Sequence, residues 1–312
     1  MQLSPEKRRL LSRLAGYAKT PQPPPADPRD RFIYGMSQPA LGAKILLRDR
    51  QLLKQGLEPA FMLAIVCALT AWMGLGEGKS WLGRFYYTFA ILAPLPSVIF
   101  AKHYARMSAA VRNKLGFGPV NPKKEPLPTV IFRAGAQAVV VAIGLIPVIA
   151  VIKLVPGLGG WLAKAMAALW ALQWVVVDAF DDARVMKPGE TMRSLDRQAE
   201  ATQRPWFVRL FNSLGEALPG LLGSPFSWFG GLLDKLSKSF REECALVEKN
   251  PAIAAGFALT TAALLATPGL NLMFRPIILV ASAHLLGHLE ATEPHPEEPA
   301  PFRVKEFKLP VG

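Results

Sequence analysis

Apolar and polar residues are sorted into blocks along this chain rather than interleaved. Residues 59–76 contain no charge, and residues 85–101 form a second uncharged run interrupted by Pro94 and Pro96. Residues 134–152 make a third run, with Gln137 as its main polar member and Pro147 towards its end. Residues 161–177 make a fourth, which holds Lys164 near one end and closes on Asp178. A fifth and a sixth, 252–267 and 270–288, join at Pro268-Gly269. About 20 apolar residues in a helix cross the hydrocarbon layer of a bilayer, and a helix satisfies its own backbone groups there. The pattern therefore predicts an all-α fold, a polytopic transmembrane helical bundle of four to six spans, with the fifth segment short enough to be re-entrant. Proline removes a backbone donor and crowds the preceding turn, so Pro94 and Pro96 should kink or break the second run. Trp81, Tyr86 and Tyr87 beside Arg84 read as interface anchors.

The flanking segments differ in character. Residues 4–18 read as a short helix with Leu10, Leu11, Leu14 and Tyr17 on one face and Lys7, Arg8, Arg9 and Arg13 on another, suited to a membrane surface, to a helical partner or simply to solvent. PQPPPADP at 21–28 reads as a stiff polyproline linker, so residues 1–36 are expected to form a mobile basic tail. A helix from Leu41 should lead directly into the first span. Within 37–290, the membrane domain, residues 178–250 stand apart: polar to about 204, then rich in aromatic and leucine residues broken by Gly and Pro, which predicts an amphipathic insert at 205–240. Residues 291–312 read as a Pro-rich exposed tail.

Composition sharpens this picture. Of 312 residues, 51% are hydrophobic and 19% charged, yet the formal charge is +13. Soluble domains average about 25% charged residues. The basic residues are placed unevenly: residues 1–58 hold eleven Lys and Arg, and residues 102–133 hold seven against the single Glu125. The turns that would face the other side carry only Lys79 and Arg84, and Lys153 and Lys164. Cytoplasmic loops of membrane proteins are enriched in Lys and Arg, so both termini are expected on the cytoplasmic side of an inner membrane, with anionic headgroups as a partner. No nucleic-acid-binding signature occurs. Cys67 and Cys244 build neither a disulfide framework nor a zinc pattern, and no apolar stretch follows the basic N-terminus to suggest a secretory signal.

Few residues offer chemistry. His284 and His288 are four apart, but Leu285 stands where a zincin helix has its glutamate. Asp178, Asp181 and Asp182 invite comparison with metal-dependent lipid-phosphate transferases, yet the later spaced aspartates of such sites are missing. Pairing of the cluster with Arg184 is the simpler reading. No phosphate loop, catalytic triad or nucleophile elbow occurs, so an enzyme is not expected, nor a metal or cofactor. Arg275 is the exception to the apolar pattern, since a guanidinium inside a span is costly by about 2.5 kcal/mol or more. If a helix begins near Pro276, Arg275 would join a positive helix end and suit an anion; alternatively it snorkels to headgroups.

Two stretches resemble the etoposide-induced-protein/CysZ superfamily of membrane proteins. GAKILLRDRQLLKQGLEPAFMLAIVCAL, residues 42–69, is similar to the family's opening segment at Gly42, Leu52 and Pro59. GFALTTAALLATPGLNLMFRPIILVASAHLL, residues 256–286, is similar to its closing pair at Gly256, Pro268, Leu270, Asn271, Leu272, Pro276 and Ala281. Arg275 and residues 178–250 depart from the family. The resemblance covers about a third of the chain. It implies long spans and helices that enter the bilayer without crossing, and, through bacterial members that are sulfate permeases, passage of a small anion. The anion-contact candidates are Arg275, Gly42, Arg48 and Arg50, and helix breaks at Pro94, Pro96, Pro147, Pro268 and Pro276 would shape the path. A homo-oligomer is also contemplated. The alternative is a non-transporting scaffold that organises membrane and partner proteins through its tail and insert.

Overall fold

Short polar side chains set the first helices. Ser4 caps α1 (Pro5–Tyr17), and Asp27 accepts from the backbone N–H of Arg29 and Asp30 at 2.8 and 3.2 Å to open α2 (Pro28–Arg48), with Pro28 in the first turn where its missing donor costs nothing. Asp49 then leaves the helical conformation and caps α3 (Arg50–Trp72), accepting from Gln51 and Leu52 at 3.0 Å. The structure, a computed structural model, describes residues 4–74, 80–92, 96–218, 220, 223–266 and 271–292. Among them follow α4 (Trp81–Leu92), α5 (Pro96–Ile99), α6 (Ala101–Lys114), α7 (Leu127–Ile143), α8 (Ile146–Lys153), α9 (Gly159–Asp182), α10 (Met192–Ala201), α11 (Trp206–Ala217), α12 (Ser224–Ser237), α13 (Arg241–Lys249), α14 (Pro251–Leu265) and α15 (Asn271–Thr292). A two-residue antiparallel bridge, β1 (Asn121–Pro122) with β2 (Val185–Met186), completes an all-α architecture.

Two apolar hairpins rise from a packed base. In the first, α4 folds back on α3, and the hydroxyls of Thr70 and Thr88 meet at 3.2 Å. In the second, α7 and α8 run out and α9 returns, with Trp170 Nε1 donating to the Val141 carbonyl at 2.9 Å. The base is built where α2 crosses α14 and α15. Gly35 and Gly256 let the backbones of α2 and α14 approach until a Cβ on Gly256 would lie 2.1 Å from the Phe32 carbonyl oxygen. Around this crossing Tyr34, Ile253, Phe257 and Leu285 are fully buried. The second half of α9 joins the base through edge-on contacts among Trp170, Trp174, Phe207 and Phe240.

The hairpins themselves are largely uncovered. Phe61 and Trp72 of α3, Trp81 and Leu82 of α4, Phe132, Val151 and Leu154 around α7–α8, and Trp161 and Leu169 of α9 are exposed. Arg50–Trp72, Leu127–Lys153 and Gly159–Asp182 are each long and apolar enough to cross a membrane, and within those windows only 28%, 22% and 28% of residues are buried. Soluble monomers rarely expose contiguous apolar surface on this scale. The hairpins are therefore built to be covered by something other than water.

Several expectations change. Residues 28–36 are not part of a mobile tail: they are the first turns of α2, and Tyr34 is buried because Gly35 and Gly256 bring two helices together. The helix expected from Leu41 to Pro59 is two helices, because Asp49 caps the second. The all-α bundle is as expected, and three helices meet the length and composition of a span among the described residues, while α4 has 12 residues and α14 has 15. Pro147 lies in the first turn of α8, after a break at Gly144-Leu145, and Pro96 opens α5. Pro276 sits inside α15, which already begins at Asn271, so Arg275 does not stand at a helix start. Pro94, Pro268 and nearly all of the 291–312 tail lie outside the described residues. The 205–240 insert consists of α11 and α12, packed on each other, with α12 also against α7.

Candidate functional site

The densest chemistry lies where the second hairpin meets the base. On a helix, residues three and four apart share a face, so Asp178, Asp181 and Asp182 leave the end of α9 close together. Asp182 accepts from Arg275 Nη2 at 2.9 Å, while Asp178 lies 3.5 Å from the same nitrogen. The Arg275 guanidinium carbon also stands 5.8 Å from the centre of the Tyr104 ring, a cation–π distance. Asp181 turns the other way: Arg133 Nη1 donates to it at 2.6 Å and Lys123 Nζ lies 3.3 Å away. Glu125 closes the ring, 3.1 Å from Lys123 and 3.0 Å from Arg133. All four side chains of this ring are buried or nearly so, a costly arrangement unless each charge is paired.

Local structure explains the convergence. The β1–β2 bridge holds the strand before Lys123 against the strand after Arg184, and Ser108 of α6 donates to the Ala183 carbonyl at 2.5 Å, fixing the end of α9. Arg184 leaves the aspartates and pairs with Glu242 and, at 2.7 Å, with Glu243 of α13, so the expected pairing with the aspartate cluster is replaced. Burial by itself would lower the Arg184 pKa, but Glu243 and Glu242 hold it above its ordinary value. Burial pushes the Tyr104 phenol up to about 12.

Two small cavities of about 30 Å³ each flank Asp182. The first is lined by Lys102, Lys123, Arg133 and Arg184 with Glu125, Asp181 and Asp182, four cationic groups against three carboxylates. The second is lined by Asp178, Asp182, Thr261 and Arg275 among apolar neighbours.

The other expected anion contacts are elsewhere. Gly42 is a packing residue, since a Cβ there would lie 2.5 Å from the Ile277 carbonyl oxygen. Arg48 and Arg50 are exposed on either side of the capping Asp49. His284 and His288 face Phe117 in the base, and His284 Nδ1 lies 2.8 Å from Gln38 Oε1. No group of three potential metal ligands occurs among the described residues. The Lys123, Glu125 and Arg133 ring and the Thr261 hydroxyl were not expected as a site. Their only signal was position, basic residues just before an apolar run, which orientation alone had absorbed.

No family model, curated protein or solved structure matches the chain.

Proposed function

We propose that this chain is an integral membrane protein whose hairpins enter the bilayer, the second crossing it and returning, and that it passes a small anion of the sulfate type from a cytoplasmic-side cavity. Crossing is supported by dimensions. From Arg133 to Lys153, and from Trp161 to Asp181, the helices rise about 30 Å at 1.5 Å per residue, the thickness of a hydrocarbon core. Trp72, Trp81 and Trp161 are exposed at the hairpin ends, and Lys164 lies 5.5 Å over the Trp161 ring, as interface anchors do. The positive-inside bias then puts both termini in the cytoplasm.

The observation that carries the anion reading is Lys102, the exposed lining cation of the first cavity that has no ion pair among the described residues, whereas Arg184 is held by Glu242 and Glu243, and Lys123 and Arg133 by Glu125 and Asp181. Ionisable residues inside membrane-spanning helices are costly and mark ion paths, and Arg133 and Asp181 of this cavity lie within the apolar stretches Leu127–Lys153 and Gly159–Asp182. Arg275 is a weaker anion contact, since Asp182 already neutralises it. The resemblance to the sulfate permeases supplies the anion class. The test is uptake of labelled sulfate into liposomes holding the pure protein. Uptake should exceed that of empty vesicles and fall at least fivefold in Lys102→Ala, whose side chain is exposed at the cavity; uptake equal to empty vesicles refutes the reading.

A second reading, a membrane-organising scaffold, is favoured by α1, where Leu10 and Leu11 are exposed beside Lys7, Arg8 and Arg9. Removing residues 1–19 should then release the protein's co-purifying partners, and the full-length protein should show no sulfate uptake above empty vesicles.

A further inference from the structure

The second cavity differs in sign from the first. Asp178 and Asp182 bring two carboxylates to it and Arg275 one guanidinium, so with both carboxylates ionised its lining carries one net negative charge. That charge belongs to Asp178. Its two polar contacts, Arg275 Nη2 and Gln137 Nε2, both stand at 3.5 Å, the outer limit of a hydrogen bond. Its side chain is 44% exposed, whereas Asp182 is 17% exposed and held by Arg275 at 2.9 Å. A second feature of the cavity also asks for a ligand. Thr261 of α14 is 0% exposed, and its Oγ1 has no hydrogen-bond partner among the described residues. Buried hydroxyls are nearly always partnered, and leaving one alone costs about 1–3 kcal/mol. Leu265, the last residue of α14, lines the same cavity, so the negative end of that helix adds to the field.

From these groups we infer that the cavity binds a small monovalent cation, sodium in size, held by the carboxylate oxygens of Asp178 and Asp182 and the hydroxyl of Thr261. Oxygen donors of this kind suit hard cations. One positive charge brings the lining to neutrality, while a divalent ion would leave a net charge among Val175, Ile278 and Leu279, where an uncompensated charge is expensive. A volume of about 30 Å³ admits one or two water-sized groups and excludes an organic cation. Because Asp182 lines both cavities, the cation would stand next to the anion site and the two would bind cooperatively. The cation site itself rests only on the second cavity and is independent of the anion reading.

The test is the thermal stability of the purified full-length protein in detergent, with sodium chloride compared with choline chloride at equal ionic strength. A ligand that binds only the folded state raises stability with its concentration, so the midpoint should rise with sodium and not with choline. Asp178→Asn should abolish the sodium response, and Thr261→Val should raise the sodium concentration for half-maximal effect at least tenfold. The inference is overturned if the wild-type midpoint is the same in both salts, as a cavity holding only water would give, or if Thr261→Val responds like wild type. Thr261→Val alone decides the matter should Asp178→Asn fail to fold. Sodium binding without sulfate flux would remove the anion reading and leave this one, and the reverse result would do the opposite.

Discussion

Substituting Gly256 by alanine probes the step that builds the base. A Cβ at this position would lie 2.1 Å from the Phe32 carbonyl oxygen, 2.9 Å from the Met36 nitrogen and 3.0 Å from the Phe32 carbonyl carbon. All three are backbone atoms inside α2, so no side chain can swing aside. Restoring ordinary contact needs α2 and α14 to part by about 1 Å, and a gap of that size forfeits a quarter to a half of the dispersion energy of the atoms lining it. Overpacking of this kind costs about 1–3 kcal/mol, and rigid backbone on both sides puts the cost near the upper end. Alanine is the better helix former by about 1 kcal/mol, which leaves a net loss of about 2 kcal/mol. Reversible unfolding in mixed micelles measures it, with Gly16→Ala as the control, because nothing lies within 4 Å of a Cβ there. The control should match or slightly exceed wild type. A Gly256→Ala protein as stable as wild type would refute the idea that backbone contact sets the α2–α14 distance.

Two further outcomes follow from the base and the hairpins. Burial lowers the pKa of His284 to about 3, with a smaller push from His288, and lowers that of His288 to about 4. Both are neutral in the folded protein where an unfolded chain would protonate them near pH 6.5, so stability is complete above that pH and is lost as the pH falls towards 4, by about 2 kcal/mol per histidine at pH 5; His284→Gln with His288→Gln should flatten the pH dependence of the unfolding midpoint, and an unchanged slope would contradict it. In bilayers carrying brominated lipids, proteins retaining only Trp72 or only Trp161 should be quenched most by bromines near the headgroups, whereas strongest quenching by bromines at the chain ends would place the hairpin ends at mid-bilayer and rule out crossing.

The resolution of the apolar runs into helices was legible because hydrocarbon-length stretches need only local information: a run of uncharged residues, the prolines that end it and the basic residues beside it. Residues 134–152 and 161–177 became α7–α8 and α9 almost as read, and the aromatic insert became α11 and α12. The same reading failed at Asp49 and at residues 28–36. A single carboxylate outweighed the continuous helical pattern on either side of it, and the burial of Tyr34 depends on Gly256, more than two hundred residues away. Arg275 was legible as an anomaly but not in its partner, since Asp182 reaches it only through the way α9 packs on α15.

By itself, the sequence determined that the protein is helical, that its apolar stretches exceed what a soluble core buries, and where its positive charge accumulates, since each depends on residue type and spacing along one segment. Tertiary structure alone decided which charges neutralise one another. It sent Asp181 to Lys123 and Arg133, Asp182 to Arg275, and Arg184 to Glu242 and Glu243. Among the groups lining the second cavity, it thereby left Asp178 held only at 3.5 Å and the Thr261 hydroxyl with no partner among the described residues. The physical reason is range: helix formation and bilayer partition are summed over neighbouring residues, whereas an ion pair requires two side chains within about 4 Å, a distance set by helix packing rather than by position in the chain.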